Sequence, residues 1–495
     1  MQGVPGLVAL VAVSLATLAI GSYGLRLSRT TSDFYVASRS VRPGLNASAI
    51  GGEYLSAASF LGVAALVLTS GAQMLWYPVG WTAGYLVLLV LVAAPLRRSG
   101  AYTLPDFAEA RLDSRRVRAL CSVLVVAIGW LYLLPQFQGA GLTLAAAVGA
   151  PAWVGAVVVG LVVVVGVGGG GMRSVTLVQA FQYWLKLTAL LLPAVVLLVV
   201  WRGDGAPGVG AVGDGWSMPL GAGERGLYTT YSLVLATFLG TMGLPHVVVR
   251  FYTNPDGRAA RRTTLVVLGL LGAFYLLPPV YAVLGRAYGA APDDTLVLEL
   301  PRLVVDGPLG DVLTGLVTAG AFAAFLSTSS GLALAVTGVL AQDVLTGRSA
   351  GGLSGVAAFR VGASVAVAVP LAAAVLAPDL SVARAVGLAF AVAASTFCPL
   401  LLLGIWWRGL TGHGAVAGLV VGGLGSAAGV VWAVADGTEG GWTDTLLAQP
   451  AAWSVPLAFA TMLGVSRVTR HRVPVHTRRF MVRLHTPEVV PLDRG

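Results

Sequence analysis

Residues 46–60 read Asn46-Ala-Ser-Ala-Ile-Gly51-Gly52-Glu53-Tyr54-Leu55-Ser56-Ala-Ala-Ser59-Phe60. They fall inside an apolar segment, 45–71, long enough to cross a ~30 Å hydrocarbon core at ~1.5 Å per residue. A uniform spanning helix has no use for two adjacent glycines and an acid at mid-span. Glycine loosens the helix, and a charge in hydrocarbon costs at least ~2.5–3.5 kcal/mol. The stretch therefore reads as a helix that breaks inside the membrane, where Gly51-Gly52 free backbone carbonyls beside Glu53. A second interrupted segment, Thr237-Phe-Leu-Gly240-Thr241-Met-Gly243-Leu-Pro245-His246, lies five spans later. An odd offset makes the two segments run in opposite directions, as an inverted repeat of five helices plus five helices requires. Paired interruptions at corresponding positions point to a binding site near the bilayer midplane.

Composition agrees with the membrane. The chain is 57% hydrophobic and 11% charged, with mean hydropathy +0.84, too little charge to cover a soluble protein of 495 residues. Thirteen apolar spans follow one another from 4–25 to 450–468, including separate spans at 151–168 and 174–201. The expected organisation is a single transmembrane domain, 1–468, with core helices at about 45–407 and a short basic tail, 469–495. Val4–Leu25 lacks a basic leader and a small-residue cleavage site, so it reads as a retained helix. The net charge of +10 is unevenly placed. With the N-terminus outside, the arginines gather in cytoplasmic loops, and only Arg202, Arg225, Arg286, Arg302 and Arg384 face outward. The basic side then meets anionic lipids, which removes the need for a nucleic-acid partner. This places the chain in the cell membrane with a cytoplasmic C-terminus. Cys121 and Cys398 lie in apolar segments and read as buried free thiols.

Few ionisable groups fall inside the spans: Glu53, Lys186 (the sole lysine) and His246. Glu53 and Lys186 are candidates to pair with each other, and Lys186 equally to meet a substrate carboxylate. His246 reads as a structural hydrogen-bonding residue. The ninth span contains Ala324-Phe-Leu-Ser327-Thr328-Ser329-Ser330-Gly331. Ala324, Ser327 and Thr328 stand at i, i+3 and i+4 and share one helical face. Hydroxyls and freed carbonyls are the oxygens that a hard cation such as Na⁺ takes. Membrane hydroxyls also bond back to their own i−4 carbonyl, which is the ordinary alternative.

At this point the motifs resemble those of the sodium:solute symporter family, most closely its cation/acetate, or monocarboxylate, branch. Gly52-Glu-Tyr-Leu-Ser-Ala-Ala-Ser-Phe-Leu-Gly62 is similar to the family's broken first core helix. Tyr102-Thr-Leu-Pro-Asp-Phe-Ala-Glu-Ala-Arg111 resembles its cytoplasmic loop. Gly170-Gly-Met-Arg-Ser-Val-Thr176, followed by Gln179, resembles the entry to its fifth core helix. Gly243 to Tyr252 resembles the end of the sixth, and Gly331 to Asp343 the end of the eighth.

The resemblance implies an all-α LeuT-type core of ten helices with broken first and sixth members, one helix before it and two after. It implies no enzyme but an alternating-access symporter that couples inward Na⁺ to uptake of acetate, propionate, pyruvate or a similar carboxylate. It also implies a Na⁺ site built from the carbonyls of Gly52, Leu55 and Ala324 and the hydroxyls of Ser327 and Thr328. Residues expected to line the substrate site are Glu53, Tyr54, Ser56, Ser59, Tyr77, Gln136, Gln138, Lys186, Thr237 and Thr241. One departure is Gln179, which stands where several sodium-coupled members carry an aspartate. H⁺ coupling with Glu53 as proton carrier, another small polar solute, and an ion channel remain open as alternatives.

Overall fold

The computed structural model describes residues 4–26, 31–210, 215–345, 355–376, 382–434 and 441–488, and among them there is no strand. The long helices are α1 (Val4–Leu25), α2 (Pro43–Tyr54), α3 (Ala58–Ser70), α4 (Ala72–Arg98), α5 (Arg115–Val148), α6 (Ala152–Gly203), α7 (Gly223–Thr253), α8 (Gly257–Ala287), α9 (Gly307–Leu345), α10 (Gly355–Leu376), α11 (Val382–Trp406), α12 (Gly412–Val434) and α13 (Ala451–Val468). Among the described residues, 11 helices are long and apolar enough to cross a membrane, or up to 12 when α2 and α3 count as one span.

Thirteen were expected; the expected spans 151–168 and 174–201 both lie in α6, which is two helices joined across a kink at Gly171 (φ 56, ψ −153) with no loop between them. Only glycine fits this bend. A Cβ at Gly171 would stand 2.6 Å from the Phe34 Cα, and its φ lies in the left-handed region.

Both interrupted segments break as their residues dictate. α2 and α3 meet at 72°. The break exposes the last carbonyls of α2, which no intrahelical N–H can reach. Ala57, beyond the break, donates its N–H to Gln136 Oε1 at 3.1 Å. α7 is interrupted at Leu244 (φ −70, ψ 119), the extended conformation that a following proline imposes, and Pro245 restarts the helix. α2 packs against α6, α8 and α9, whereas α7 packs against α4 and α11. Gly240 and Gly243 let α7 approach the α11 backbone, since a Cβ at either would lie 2.4 Å from Phe390 O or 2.2 Å from Ala393 O.

The Thr-Leu-Pro-Asp motif is a helix start. Thr103 and Asp106 cap the helix Leu104–Leu112 reciprocally, with Pro105 in its first turn. Arg118, at the start of α5, then bridges Asp106, Glu109 and Asp343 and ties this loop to the end of α9. The basic tail does not hang free over its described part. A final helix, α14 (Thr477–His485), buries Phe480, Met481 and Leu484. Buried Arg111 joins it to the end of α11 through Thr477 Oγ1 (3.1 Å), Gly404 O (2.9 Å) and Trp407 O (3.0 Å).

Candidate cation and substrate site

Breaking α2 leaves the Gly52, Glu53 and Leu55 carbonyls at a helix C-terminus, where the helix dipole favours positive charge. Thr328 Oγ1 on α9 donates to Glu53 O at 2.7 Å. Lys186 on α6 takes the other two, its Nζ donating to Gly52 O and, at 2.8 Å, to Leu55 O. Its third hydrogen bond goes to Ser327 Oγ at 3.0 Å. Ser327 in turn donates to Ala324 O at 3.0 Å. Of the five residues expected to ligate Na⁺, Gly52, Leu55 and Ser327 meet at the Lys186 ammonium, Ala324 joins through Ser327, and Thr328 bonds the neighbouring Glu53 carbonyl. Lys186, expected among the substrate residues, places its ammonium in their midst.

Glu53, a candidate partner for Lys186, forms its ion pair with a different cation. Arg250 on α7, fully buried, donates from Nε to Glu53 Oε2 at 2.5 Å. Its other nitrogens bond Thr176 Oγ1 (2.8 Å), Met172 Sδ (3.0 Å) and Gln179 Oε1. Gln179 has a clear role in this network. Its oxygen accepts from Arg250 while its Nε2 donates to Ser327 O at 2.7 Å. An amide can do both at once, and a carboxylate cannot donate. Gly331 is required here, because a Cβ on it would lie 2.1 Å from the Glu53 carboxyl carbon.

On the other side of the break lies an aromatic cluster. Tyr54 Oη is 2.6 Å from Thr241 Oγ1, and its ring meets that of Tyr85 edge-on at 4.9 Å. Phe390 on α11 is the centre, with the rings of Trp81, Tyr132 and Tyr54 at 5.7, 5.9 and 6.3 Å. Tyr275 stands 5.9 Å from Trp81 and shares a hydrogen bond of 2.9 Å with Ser59 Oγ. Tyr132 Oη donates to Ser56 Oγ at 3.3 Å. Among the described residues, Trp81 Nε1, Tyr85 Oη and both ring nitrogens of His246 are buried without a hydrogen-bond partner. Buried donors of this kind call for a partner that the polypeptide does not supply.

Of the expected lining residues, Tyr54, Ser56, Ser59, Gln136 and Thr241 gather around the break and this cluster. Tyr77 reaches it through Trp81, with rings 5.3 Å apart. Thr237 bonds back to Leu233 O at 2.8 Å, the ordinary fate of a membrane hydroxyl. Gln138 is buried, but two residues from Gln136 it points to another side of α5. The structural hydrogen bond expected of His246 is absent; its ring instead stacks edge-on with Tyr132 at 5.5 Å.

Sequence reasoning missed Arg250, Trp81, Tyr85, Tyr132, Tyr275 and Phe390. Arg250 carried a signal, being a basic residue just past Pro245, but the loop-charge rule absorbed it. Trp81 follows Tyr77 by four residues and so shares its helical face. Phe390 sits in an apolar helix with no distinguishing mark.

A site where two helices break, with a cation among freed carbonyls, inside a multi-pass helical bundle is the arrangement of a membrane transporter. The sodium:solute symporter family matches residues 34–422, and the chain belongs to this family. It is 32% identical to an uncharacterized symporter, YwcA, of Bacillus subtilis, over 90% of each chain. It is also 32% identical to a monocarboxylic acid transporter of Corynebacterium glutamicum, covering 88% of this chain and 86% of that one. A Na⁺-coupled sialic acid symporter shares the fold at TM-score 0.73 and 16% identity, over 94% of this chain and 98% of the other. Mhp1, a nucleobase-cation-symport-1 family transporter, superposes at TM-score 0.54 and 15% identity, over 91% and 98%. The LeuT-type architecture expected from the motifs is the one these neighbours have.

Proposed function

We propose that the protein imports a small monocarboxylate, such as acetate, propionate or pyruvate, by alternating access, and draws on the inward movement of a cation. The observation that carries this reading is the continuity of residues 52–56. Gly52 and Leu55 turn their carbonyls to the cation position, while Tyr54 and Ser56 face the aromatic cluster. One short stretch of broken backbone thus shapes both positions, so filling one biases the other, and the linkage is reciprocal.

The cluster suits a short carboxylate. Rings around Phe390 cover an alkyl group, and Trp81 Nε1–H and Tyr85 Oη–H are neutral donors for the oxygens. The monocarboxylic acid relative supports this substrate class, and the family and the sialic acid symporter support Na⁺ as the cation. We place the N-terminus outside and the basic C-terminal region at the cytoplasmic leaflet, on the arginine asymmetry.

The test is competition against labelled acetate uptake in proteoliposomes. Propionate and pyruvate should compete, and uncharged amides of the same size should not. Tyr85→Phe, which removes one of the two unpartnered donors, should raise KM about 5- to 10-fold, the worth of one ordinary hydrogen bond at ~1 kcal/mol. Equal competition by the amides would sink the carboxylate assignment.

A further inference from the structure

α5, the end of α9 and Glu109 of the short helix before α5 enclose a cavity of about 920 Å³, which shares no residue with the broken helices or the aromatic cluster. Its volume is near the top of the ~300–1,000 Å³ range of ligand pockets. Arg115, Ala119, Val123, Ala127 and Trp130 stand three or four residues apart, so a single face of α5 makes one wall. The facing wall is the end of α9, which widens to a π-helix over Leu340–Leu345, a distortion frequent at functional sites.

The two ends of the cavity differ in chemistry. At the start of α5 it is lined by four charged groups, Glu109, Arg115, Arg118 and Asp343. Arg118 is taken by carboxylates, with Glu109 and Asp343 each at 2.6 Å and Asp106 at 2.8 Å. Arg115 is exposed and makes no ion pair among the described residues. Farther along α5 the lining is apolar, and its rim is open: Val123 is 64% exposed and Val344 59%. From Arg115 to Trp130 is fifteen residues, about 22 Å at ~1.5 Å per residue. Half of a ~40–45 Å bilayer is the same length. The cavity thus runs from headgroup depth to the middle of the membrane, and an amphiphile one leaflet long matches it end to end.

The charges select the headgroup. The two acids and two bases of the lining cancel, so a net anion gains little from them, whereas a headgroup carrying both signs can meet each. Arg115 is free to hold a phosphate through paired N–H donors. Glu109, its side chain 32% exposed, has room for an ammonium beside Arg118. We propose that this cavity holds one phosphatidylethanolamine molecule, with its phosphate on Arg115, its ammonium on Glu109 and an acyl chain along Val123, Ala127 and Trp130. The headgroup then rests on the Arg118 bridge that ties α5 to the end of α9.

The experiment is native mass spectrometry of the purified full-length protein, titrated with phosphatidylethanolamine, phosphatidylcholine or phosphatidylglycerol of identical acyl chains. The wild type should bind one phosphatidylethanolamine at least about tenfold more tightly than either other lipid, the worth of a charged hydrogen bond. Choline has no N–H to give Glu109, and glycerol has no positive charge. Arg115→Gln, at an exposed position, should run as wild type on gel filtration and lose this preference. Glu109→Gln should bring phosphatidylethanolamine down to the level of phosphatidylcholine. Ala127→Trp fills the apolar wall and should weaken phosphatidylethanolamine by a similar factor. Equal affinity for the three lipids, tighter binding of phosphatidylglycerol, or wild-type phosphatidylethanolamine affinity in Arg115→Gln or Ala127→Trp would overturn the assignment. If Ala127→Trp does not fold, Arg115→Gln decides. Neither Na⁺ nor a carboxylate is present, so the result is independent of the transport reading.

Discussion

Replacing Arg250 by methionine takes the guanidinium from a carboxylate that is 2% exposed. Glu53 then stays in the core without its 2.5 Å partner, and Gln179 Oε1 and Thr176 Oγ1 lose the donor that joined them. Removing one member of a buried ion pair costs about 3–5 kcal/mol, because an uncompensated charge remains. Removing both members is milder. In Glu53→Gln with Arg250→Met the charge is gone and the amide can bond Gln179. We expect the double variant to recover at least ~1–2 kcal/mol of the loss, a coupling of the size found for groups in contact. The assay is the thermal loss of the monodisperse gel-filtration peak for wild type, each single variant and the double variant. Arg250→Met should fall several degrees below wild type, with the double variant between them. An Arg250→Met protein as stable as wild type, or a double variant whose loss is the sum of the singles, would refute the claim that this pair holds α2 to α7.

Three further expectations follow from the same contacts. Gly52→Ala places a Cβ 2.1 Å from the Gln179 carbonyl oxygen, a backbone atom that cannot rotate away. The folded yield should collapse, and wild-type yield would show that α2 and α6 have room to part. Ser327→Ala with Thr328→Ala removes the hydroxyls on Lys186 and on Glu53 O; it should abolish Na⁺ dependence of uptake, and an unchanged Na⁺ activation curve counts against the cation site. Asp294 lies in the loop between α8 and α9, where burial first and Asp293 second push its carboxyl above the usual range. A raised folded value means that its contribution to stability is present at low pH and lost as pH rises through that value. Asp294→Asn should therefore melt above wild type at neutral pH and coincide with it in acid; the opposite order would be wrong for a desolvated carboxyl.

The breaks in α2–α3 and α7 were legible because their causes are local. Paired glycines, a mid-span acid and an X-Pro step act on the backbone where they stand. The Ser327–Thr328 face was legible for the same reason, since helical spacing alone puts those hydroxyls together. The identity of each charge's partner was not legible. Glu53 and Arg250 are 197 residues apart and meet only because the short segment after the α7 break comes against α2. Lys186 was visible as a lone buried charge, but its target depends on where the α2 carbonyls come to rest against α6. The expected spans 151–168 and 174–201 were legible from the glycine run between them, and they meet at the kink at Gly171. Phe390 and Trp81 were hidden because an aromatic residue in a membrane helix is as often packing as lining.

If inward cation movement drives accumulation of a monocarboxylate, a Na⁺ gradient alone must concentrate it inside liposomes. Purified protein in liposomes is given labelled acetate under an inward Na⁺ gradient, with pH clamped, and internal acetate is followed past the external concentration. Cation-driven import gives accumulation above the external level, collapse when an ionophore dissipates the gradient, and no accumulation in protein-free liposomes. Internal acetate that only equilibrates with the outside, at the same rate with and without a cation gradient, would contradict it.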